Sequence, residues 1–322
     1  MNTPTLGIDI SKANFHVALL REGKLKHKRF PNDTHGHEAL LQWLQRQGVT
    51  QLHICLEATG TYGEALAERL FDAGLSVSVV NPARIKGFAQ GELLRTKTDK
   101  ADASLIARFC AAMQPALWQP QPKAVRQLRD LVRRLEALKQ MRAQECNRLE
   151  AAGELVAEQL SAHIAYLDKQ IAQTRALINQ HIDNHPDLKG KRQLLQSIPG
   201  IGEATIQVIL AEFADITRFA SAKALAAYVG VAPRLRQSGS SLPARGSMSK
   251  MGRSALRKAF FMPALVALRY NPLLIALKQR LTAAGKPKMA ILGAAMRKLI
   301  HIVYGVLKTR TPFNPQIHAP AP

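Results

Sequence analysis

Four carboxylates give the first chemical signal in this sequence. Asp9 closes the β-prone run TLGIDI, Glu57 closes QLHICLE, and Asp99 and Asp102 stand three apart where a helical pattern begins. That spacing puts Asp99 and Asp102 on one helix face. Carboxylates converging from strand ends and a helix start suit hard divalent cations, and magnesium prefers oxygen ligands while keeping several waters. Two such ions about 4 Å apart clamp the attacking and leaving oxygens of a phosphodiester. A plainer reading makes Asp99 the N-cap of its helix and leaves Asp9 and Glu57 as ordinary strand-end polar residues.

A second signal is SIPGIGEATIQVILAEF. The spacing of Pro199, Gly200, Ile201 and Gly202 is that of the hairpin in a helix-hairpin-helix element. Gly200 and Gly202 would let the backbone approach a phosphate, amides at the helix start would bind it, and Ile198 and Ile201 would anchor the hairpin in the core. A plain Gly-rich turn between helices stays open as the alternative. The third signal is PRLRQSGSS, where Ser238 sits beside Gly239 and among Arg234, Arg236 and Arg245. A serine hydroxyl attacks phosphorus when a base or metal activates it, and arginines stabilise phosphoryl charge. On composition alone an ordinary phosphate-binding loop explains this stretch better.

Histidine and cysteine point nowhere similar. His35 with His37, and His181 with His185, lack HExxH or CxxC company and read as surface residues. Cys55, Cys110 and Cys146 are scattered, which fits a reducing cytoplasm and excludes a disulfide framework or a zinc ribbon.

The elements around these residues fall into three stretches. Residues 1–124 read as α/β: TLGIDI, FHVALL and LKHKRF as antiparallel strands, a helix bearing Leu40, Leu41 and Leu44, a strand ending at Glu57, a helix closed by Gly74, the strand LSVSVV stopped by Asn81-Pro82, and a helix over about 99–113. The expected result is a mixed sheet covered by helices. Residues 125–188 carry leucines and isoleucines at helical spacing with almost no Gly or Pro before His185-Pro186. They read as a coiled-coil helix or helical hairpin broken near Gly153, with self-association expected and a hairpin packed on its own sheet domain as the alternative. Residues 189–322 read as helical, with one long irregular stretch from Gly230 to Gly252.

Charge follows the same division. The three stretches hold 15 basic against 11 acidic, 9 against 9, and 21 against 3 side chains, and none of the 322 residues after Asp215 is acidic. The formal charge of +22 is thus concentrated in the last stretch, where a polyanion is the expected partner and a merely solvated basic surface the bland alternative. No apolar run is expected to reach the ~18 residues of a membrane span. The start, MNTPTLGIDIS, lacks a signal-peptide layout, so no membrane is expected and the cytoplasm is.

At this point the residues resemble a family. GIDISKANFHVAL, HICLEATGTYGE, VNPARIKGFA, RTKTDKADASLIARF, SIPGIGEATIQVILAEF, APRLRQSGSS, MSKMGRSALRKAFFMPA and AAMRKLIHIVYGVLK together resemble the DEDD-type insertion-sequence transposases, the group that includes the Piv DNA invertases. The resemblance implies a RuvC-like (ribonuclease H-like) N-terminal domain over 1–124, a coiled-coil dimerisation segment over 125–188 and a basic helical transposase domain over 189–322. It places the family's acidic metal ligands on Asp9, Glu57, Asp99 and Asp102 and its serine nucleophile on Ser238. It implies magnesium, with manganese as a substitute, and strand cleavage and rejoining through a phosphoserine intermediate. Further implied are donor and target DNA, a structured noncoding (bridge) guide RNA, a homo-oligomer of two or four chains, and nucleoid association during action. Nucleic-acid contacts are expected at Gly200, Gly202, Arg234, Arg236, Arg245, Lys250, Arg253, Arg257 and Lys258. Three rivals remain. A RuvC-like structure-specific endonuclease acting by two-metal hydrolysis needs no serine. An actin-like ATPase would use GIDIS as a phosphate loop, and a non-enzymatic scaffold would use only the basic stretch.

Overall fold

The computed structural model describes residues 3–49, 51–58, 62–92, 98–234, 247–249 and 251–316. The chain divides into two compact units, residues 1–120 and 121–322.

The first unit is a five-stranded mixed sheet with helices. Its elements are β1 (Thr5–Ile10), β2 (Asn14–Arg21), β3 (Lys24–Pro31), α1 (Thr34–Arg46), β4 (His53–Glu57), α2 (Glu64–Asp72), β5 (Ser76–Val80), α3 (Pro82–Gly91) and α4 (Asp99–Met113). The strand order is β3-β2-β1-β4-β5, with β1 to β3 antiparallel and β4 and β5 parallel to β1. Glu22 and Gly23, both at positive φ, make the tight turn between β2 and β3. One face of the sheet buries Leu6, Ile8, Phe15, Val17, Ile54 and Leu56 against Leu40, Leu44, Leu66 and Leu70 of α1 and α2. The other face receives α4 and, through Ile85, α3.

Three sequence readings change here. Helix α3 is not among the expected elements, although Asn81 caps it by accepting from Ala83 N and Pro82 opens it, the usual start signal. His37 is buried and donates through Nε2 to Asn32 Oδ1 at 3.1 Å, so it is no surface residue; His35 is exposed. His181 and His185 are also half-buried: His181 Nε2 donates to Ala124 O (2.7 Å), and the two rings lie tilted to each other with centroids 4.3 Å apart.

In the second unit α5 (Lys123–Glu150) and α6 (Glu154–Asp183) pack against each other as a hairpin whose break is at Ala151–Gly153. Then come α7 (Pro186–Gln196), α8 (Glu203–Phe213), a 3₁₀ turn at Ile216–Arg218, α9 (Ala222–Val229), β6 (Pro233–Arg234), β7 (Ser247–Met248), α10 (Ser254–Tyr270), α11 (Pro272–Ala283) and α12 (Lys288–Thr309). Val125, Leu128, Leu135, Leu138, Leu167 and Ile171 of the hairpin share one apolar core with α7 to α12. Exposed Leu155, Tyr166 and Leu177 lie on α6 away from that core.

The expectation that no apolar stretch is long enough to cross a membrane is corrected by α12. Among the described residues this 22-residue helix is long and apolar enough, with a mean hydropathy of 1.5. It is a core helix: 61% of its apolar window is buried within the protein, including Leu299, Ile300, Val303 and Val306. The eye is misled in sequence because Arg297 and Lys298 interrupt it.

Candidate functional site

The carboxylate site begins with register. Gly7 lies opposite Cys55 in the parallel β1–β4 pair, and side chains alternate faces, so Asp9 and Glu57, each two residues further, share the face that Cys55 presents. Cys55 packs there with Leu105, Ile106 and Cys110 of α4. Asp9 and Glu57 therefore stand side by side at the C-terminal ends of β1 and β4, on the face that α4 covers.

Helix α4 lies on that face because four small residues allow it. A Cβ on Gly7 would stand 2.2 Å from both Ala103 O and Ala107 N, so only glycine lets the helix backbone touch β1. Ala18, Ala103 and Ala107 complete the small-residue contact, and Thr5 Oγ1 donates to Ala107 O at 2.9 Å. The helix starts at Thr98, whose side chain accepts from Ala101 N, so Thr98 is the N-cap. This settles the alternative in which Asp99 caps the helix: its carboxylate is exposed and faces His16, with Nδ1 to Oδ2 at 3.4 Å.

The consequence is electrostatic. Burial, then the nearby Asp102 and Asp99 carboxylates, push the Asp9 carboxyl above its ordinary value, and His16 opposes them. His16 is the direct cross-strand partner of Asp9. Asp9 thus senses Asp102 and Asp99, and Glu57 is placed beside Asp9 by register. Among the described residues no three His, Cys, Asp or Glu side chains close into a metal-holding group as they stand. The donor chemistry still fits a hard cation: oxygens only, gathered at one sheet end, with a mutual repulsion that a divalent ion would relieve.

Sequence reasoning missed Gly7, His16 and Ala103. Gly7 and Ala103 are legible only once α4 is known to cross β1, whereas the pairing of His16 with Asp9 follows from the first hairpin register.

The second unit places the remaining residues. Gly200 is at φ +99, and a Cβ there would meet Ala267 of α10 at 2.6 Å. Its glycine is accordingly demanded by internal packing, and Asn271 Nδ2 binds the adjacent Pro199 O at 3.3 Å. Ile198 and Ile201 are buried as anchors. A Cβ on Gly202 would meet nothing, and this residue opens α8. Glu203 in the first turn of α8 pairs with Arg192 at 3.0 Å.

Arg234 is exposed on β6, which pairs with β7 through Arg234–Ser247 and Pro233–Met248. Ser238, Arg236, Arg245 and Lys250 lie outside the described residues. Arg253 pairs with Glu212 and stacks over the Tyr228 ring at 5.3 Å. Arg257 Nη1 lies against Gly230, and Lys258 pairs with Glu136 at 3.6 Å.

Comparison with known proteins adds two family matches. Residues 6–154 match the transposase family designated DEDD, IS110 type, and residues 192–279 match the transposase IS116/IS110/IS902 family. The chain is 37% identical to a pilin gene-inverting protein of Moraxella bovis, over 99% of this chain and all of that one. The same identity holds for the pilin gene-inverting protein of Moraxella lacunata. A probable family 20 transposase of Pseudomonas aeruginosa is 24% identical over 84% of this chain and 85% of its own.

Proposed function

The chain belongs to the IS110 family of transposases, and from that premise we propose that it cuts and rejoins DNA through a phosphoserine intermediate, guided by a structured noncoding RNA. DNA recombination is the activity that membership brings. The observation that carries the finer reading is the gathering of Asp9, Asp99 and Asp102 at one sheet end, where burial and then the other two carboxylates push the Asp9 carboxyl above its ordinary value. Carboxylates at adjacent strand ends of a mixed sheet, under a helix that adds two more, support a RuvC-like assignment for residues 1–124.

In this proposal Asp9, Glu57, Asp99 and Asp102 hold magnesium, or manganese in its place. The bound ion would supply positive charge to the phosphate and acidify a hydroxyl. The Ser238 Oγ attacks phosphorus, the P–O bond to one side of the strand breaks, and that oxygen leaves as a hydroxyl carrying the proton. The cut end stays on Ser238 as a phosphate diester. No bond energy is lost to water, so attack by another strand's hydroxyl restores a phosphodiester and frees the serine. Arg234, Arg236 and Arg245 stabilise the phosphoryl charge. Gly202 and the α8 amides position a backbone phosphate. Residues 125–188 assemble two or four chains, which brings Ser238 of one chain to the carboxylates of another. Since the Moraxella bovis relative is named for inverting a pilin gene, inversion stands beside insertion as an outcome of the same chemistry. The site of action is the bacterial cytoplasm, at the nucleoid.

The test is a denaturing gel. Purified protein, Mg²⁺, labelled element-end DNA and RNA transcribed from the element's flank are combined, with a lane lacking RNA. A protein–DNA adduct that requires RNA, maps to Ser238 and disappears in Ser238→Ala is the expected result. Cut DNA without an adduct would replace this reading with two-metal hydrolysis. Mixing Ser238→Ala with Asp9→Ala protein is expected to recover activity, and no recovery would place both groups in one chain's site.

A further inference from the structure

We propose that Glu212 and Arg253 are positioning residues for Ser238: they clamp the neck from which the serine-bearing segment leaves the second unit and tie that neck to α8. The inference rests on the phosphoserine chemistry proposed above.

Two glycines in contact build the neck. Gly230 ends α9 at φ +84, and its N–H donates to Ala226 O and Ala227 O. A Cβ on Gly252 would stand 2.5 Å from Gly230 N and 2.6 Å from both Gly230 Cα and Tyr228 O. Only glycine lets the two passages of the chain touch there. Just beyond, Ser249 N–H donates to Ala232 O at 2.9 Å, and β6 pairs with β7. Ser238 is four residues past Arg234 in the sequence, so the chain carries it no further than about 14 Å from that residue. The direction of the neck therefore decides what Ser238 reaches.

Arg253 fixes that direction. Its N–H donates to Tyr228 O at 3.1 Å, its guanidinium lies over the Tyr228 ring at 5.3 Å, and Nη1 donates to Glu212 Oε2. One residue thus joins the entry of α10 to the end of α9 and to α8. The Glu212 side chain is only 15% exposed, and a carboxylate so enclosed depends on a partner charge, which Arg253 supplies. This use of Arg253 differs from the phosphate contact expected of it from the sequence, and the two uses make different predictions.

Helix α8 extends the clamp to the nucleic acid. It opens just after Gly202, where a backbone phosphate is proposed to sit, and Glu212 is nine residues beyond Glu203, about 14 Å along the axis. The hold on the phosphate and the exit of the serine segment are thereby fixed to the two ends of one rod. Alignment of this kind matters to rate, since a misplacement of about 1 Å costs about 10²-fold.

The experiment follows adduct formation at Ser238 in a single turnover of the full-length protein, with Mg²⁺, labelled element-end DNA and flank RNA over a range of nucleic-acid concentrations. Arg253→Gln and Glu212→Gln are each expected to lower the saturated rate constant about 10²-fold and to leave half-saturation unchanged. A residue needed only for stability would lower the amount of adduct through the folded fraction and leave the rate constant alone. A phosphate contact would raise half-saturation in Arg253→Gln, whereas Glu212→Gln, by releasing the guanidinium, would lower it. The double variant is expected to be no slower than the slower single one, because both changes remove the same pair. Arg253→Lys, which keeps a charge for Glu212, is expected to recover part of the rate. If Arg253→Gln loses its helical circular dichroism, Glu212→Gln and Arg253→Lys carry the test. A wild-type rate constant in the folded variants, losses that multiply in the double variant, or a change in half-saturation alone would overturn the inference. Wild-type protein that forms no adduct at Ser238 would overturn the function on which it rests, and the inference with it.

Discussion

The two units arrange charge in opposite ways. In the first, Asp9, Asp99 and Asp102 crowd one end of a sheet, and burial followed by the two neighbouring carboxylates raises the cost of ionising Asp9. In the second, burial and then Arg297, Lys298 and Lys223 lower the affinity of His301 for protons, and burial with Arg280 does the same to Lys298. Each unit also holds pairs of opposite charge, such as Arg69 with Glu38 (2.6 Å) and Arg142 with Asp168 (2.5 Å). Like charges gathered in one place suit a ligand of opposite sign. The carboxylate cluster fits a small hard cation, and the positive charge of residues 189–322 fits an extended polyanion.

The largest test of this division separates chemistry from binding. Asp9→Ala or Asp102→Ala is expected to lower strand cleavage by roughly 10²–10³-fold or more, as when a group stabilising developing charge is removed. Nucleic-acid affinity should stay close to wild type in both variants, because the binding cations sit in the other unit. Filter binding alongside the cleavage gel checks this. A variant that neither cuts nor binds would mean that the carboxylates hold structure.

Next in size is Gly7→Ala. The added methyl would overlap the backbone of Ala103 and Ala107, so α4 must lift from β1. Overpacking of this kind costs about 1–3 kcal/mol or more, and here it also moves Asp102 away from Asp9. Denaturant unfolding should show the first unit weakened and the second unchanged. Wild-type stability with full cleavage would show that the contact between α4 and β1 does not position the site.

His16→Ala should act more mildly. The imidazole faces Asp99 and lies across from Asp9. If it orients Asp99 as a ligand, its loss should raise the Mg²⁺ requirement about 10–100-fold, the range for groups behind metal ligands, and leave the maximal rate nearly intact. His16→Asn, which keeps a donor, should recover part of that loss. An unchanged Mg²⁺ titration would remove His16 from the site.

How far the sequence disclosed these places differs between the units for a physical reason. Strands TLGIDI and HICLE end at carboxylates, and helix and strand periods alone predicted the sheet, α4 and the shared face of Asp99 and Asp102. Local pattern sufficed because β1 to β3 are joined by tight turns and each later strand by one helix. Helix α3 was hidden by its weak amphipathic pattern, and the role of Gly7 by depending on a contact about a hundred residues away in sequence. In the second unit Gly200 reads as a phosphate-binding glycine in isolation, yet Ala267 occupies the space it leaves. Helix α12 was hidden because Arg297 and Lys298 interrupt its hydrophobic run, which reads as a broken span until the helix is seen with one arc in the core.

The smallest effect expected is on stability against pH, and it should fall unequally. Burial pushes His37 and His53 in the first unit below their ordinary value; burial and Lys100 do the same to His27. In the unfolded chain each titrates near 6.5. Just below that value the unfolded state holds more protons, so stability rises with pH through this window and is lost as pH falls. Asp9 acts in the opposite sense at lower pH. Its raised folded value means that acid relieves the crowding of carboxylates, so the loss from the histidines is met by a gain only once Asp9 protonates. In the second unit burial, then Arg297, Lys298 and Lys223, lower His301, and the lowered Lys298 adds a gain on the alkaline side, as pH rises toward 10.5. Calorimetry from about pH 7 to about pH 5 should therefore lower the melting of the first unit more than that of the second. His53→Gln keeps a partner for Ser78 Oγ, now 2.8 Å from the ring nitrogen, and should reduce the first unit's acid sensitivity. Equal shifts in the two units would contradict the unequal burial of their histidines. A melting temperature that rises on acidification would mean that relief at Asp9 outweighs them, and Asp9→Asn would then abolish the rise.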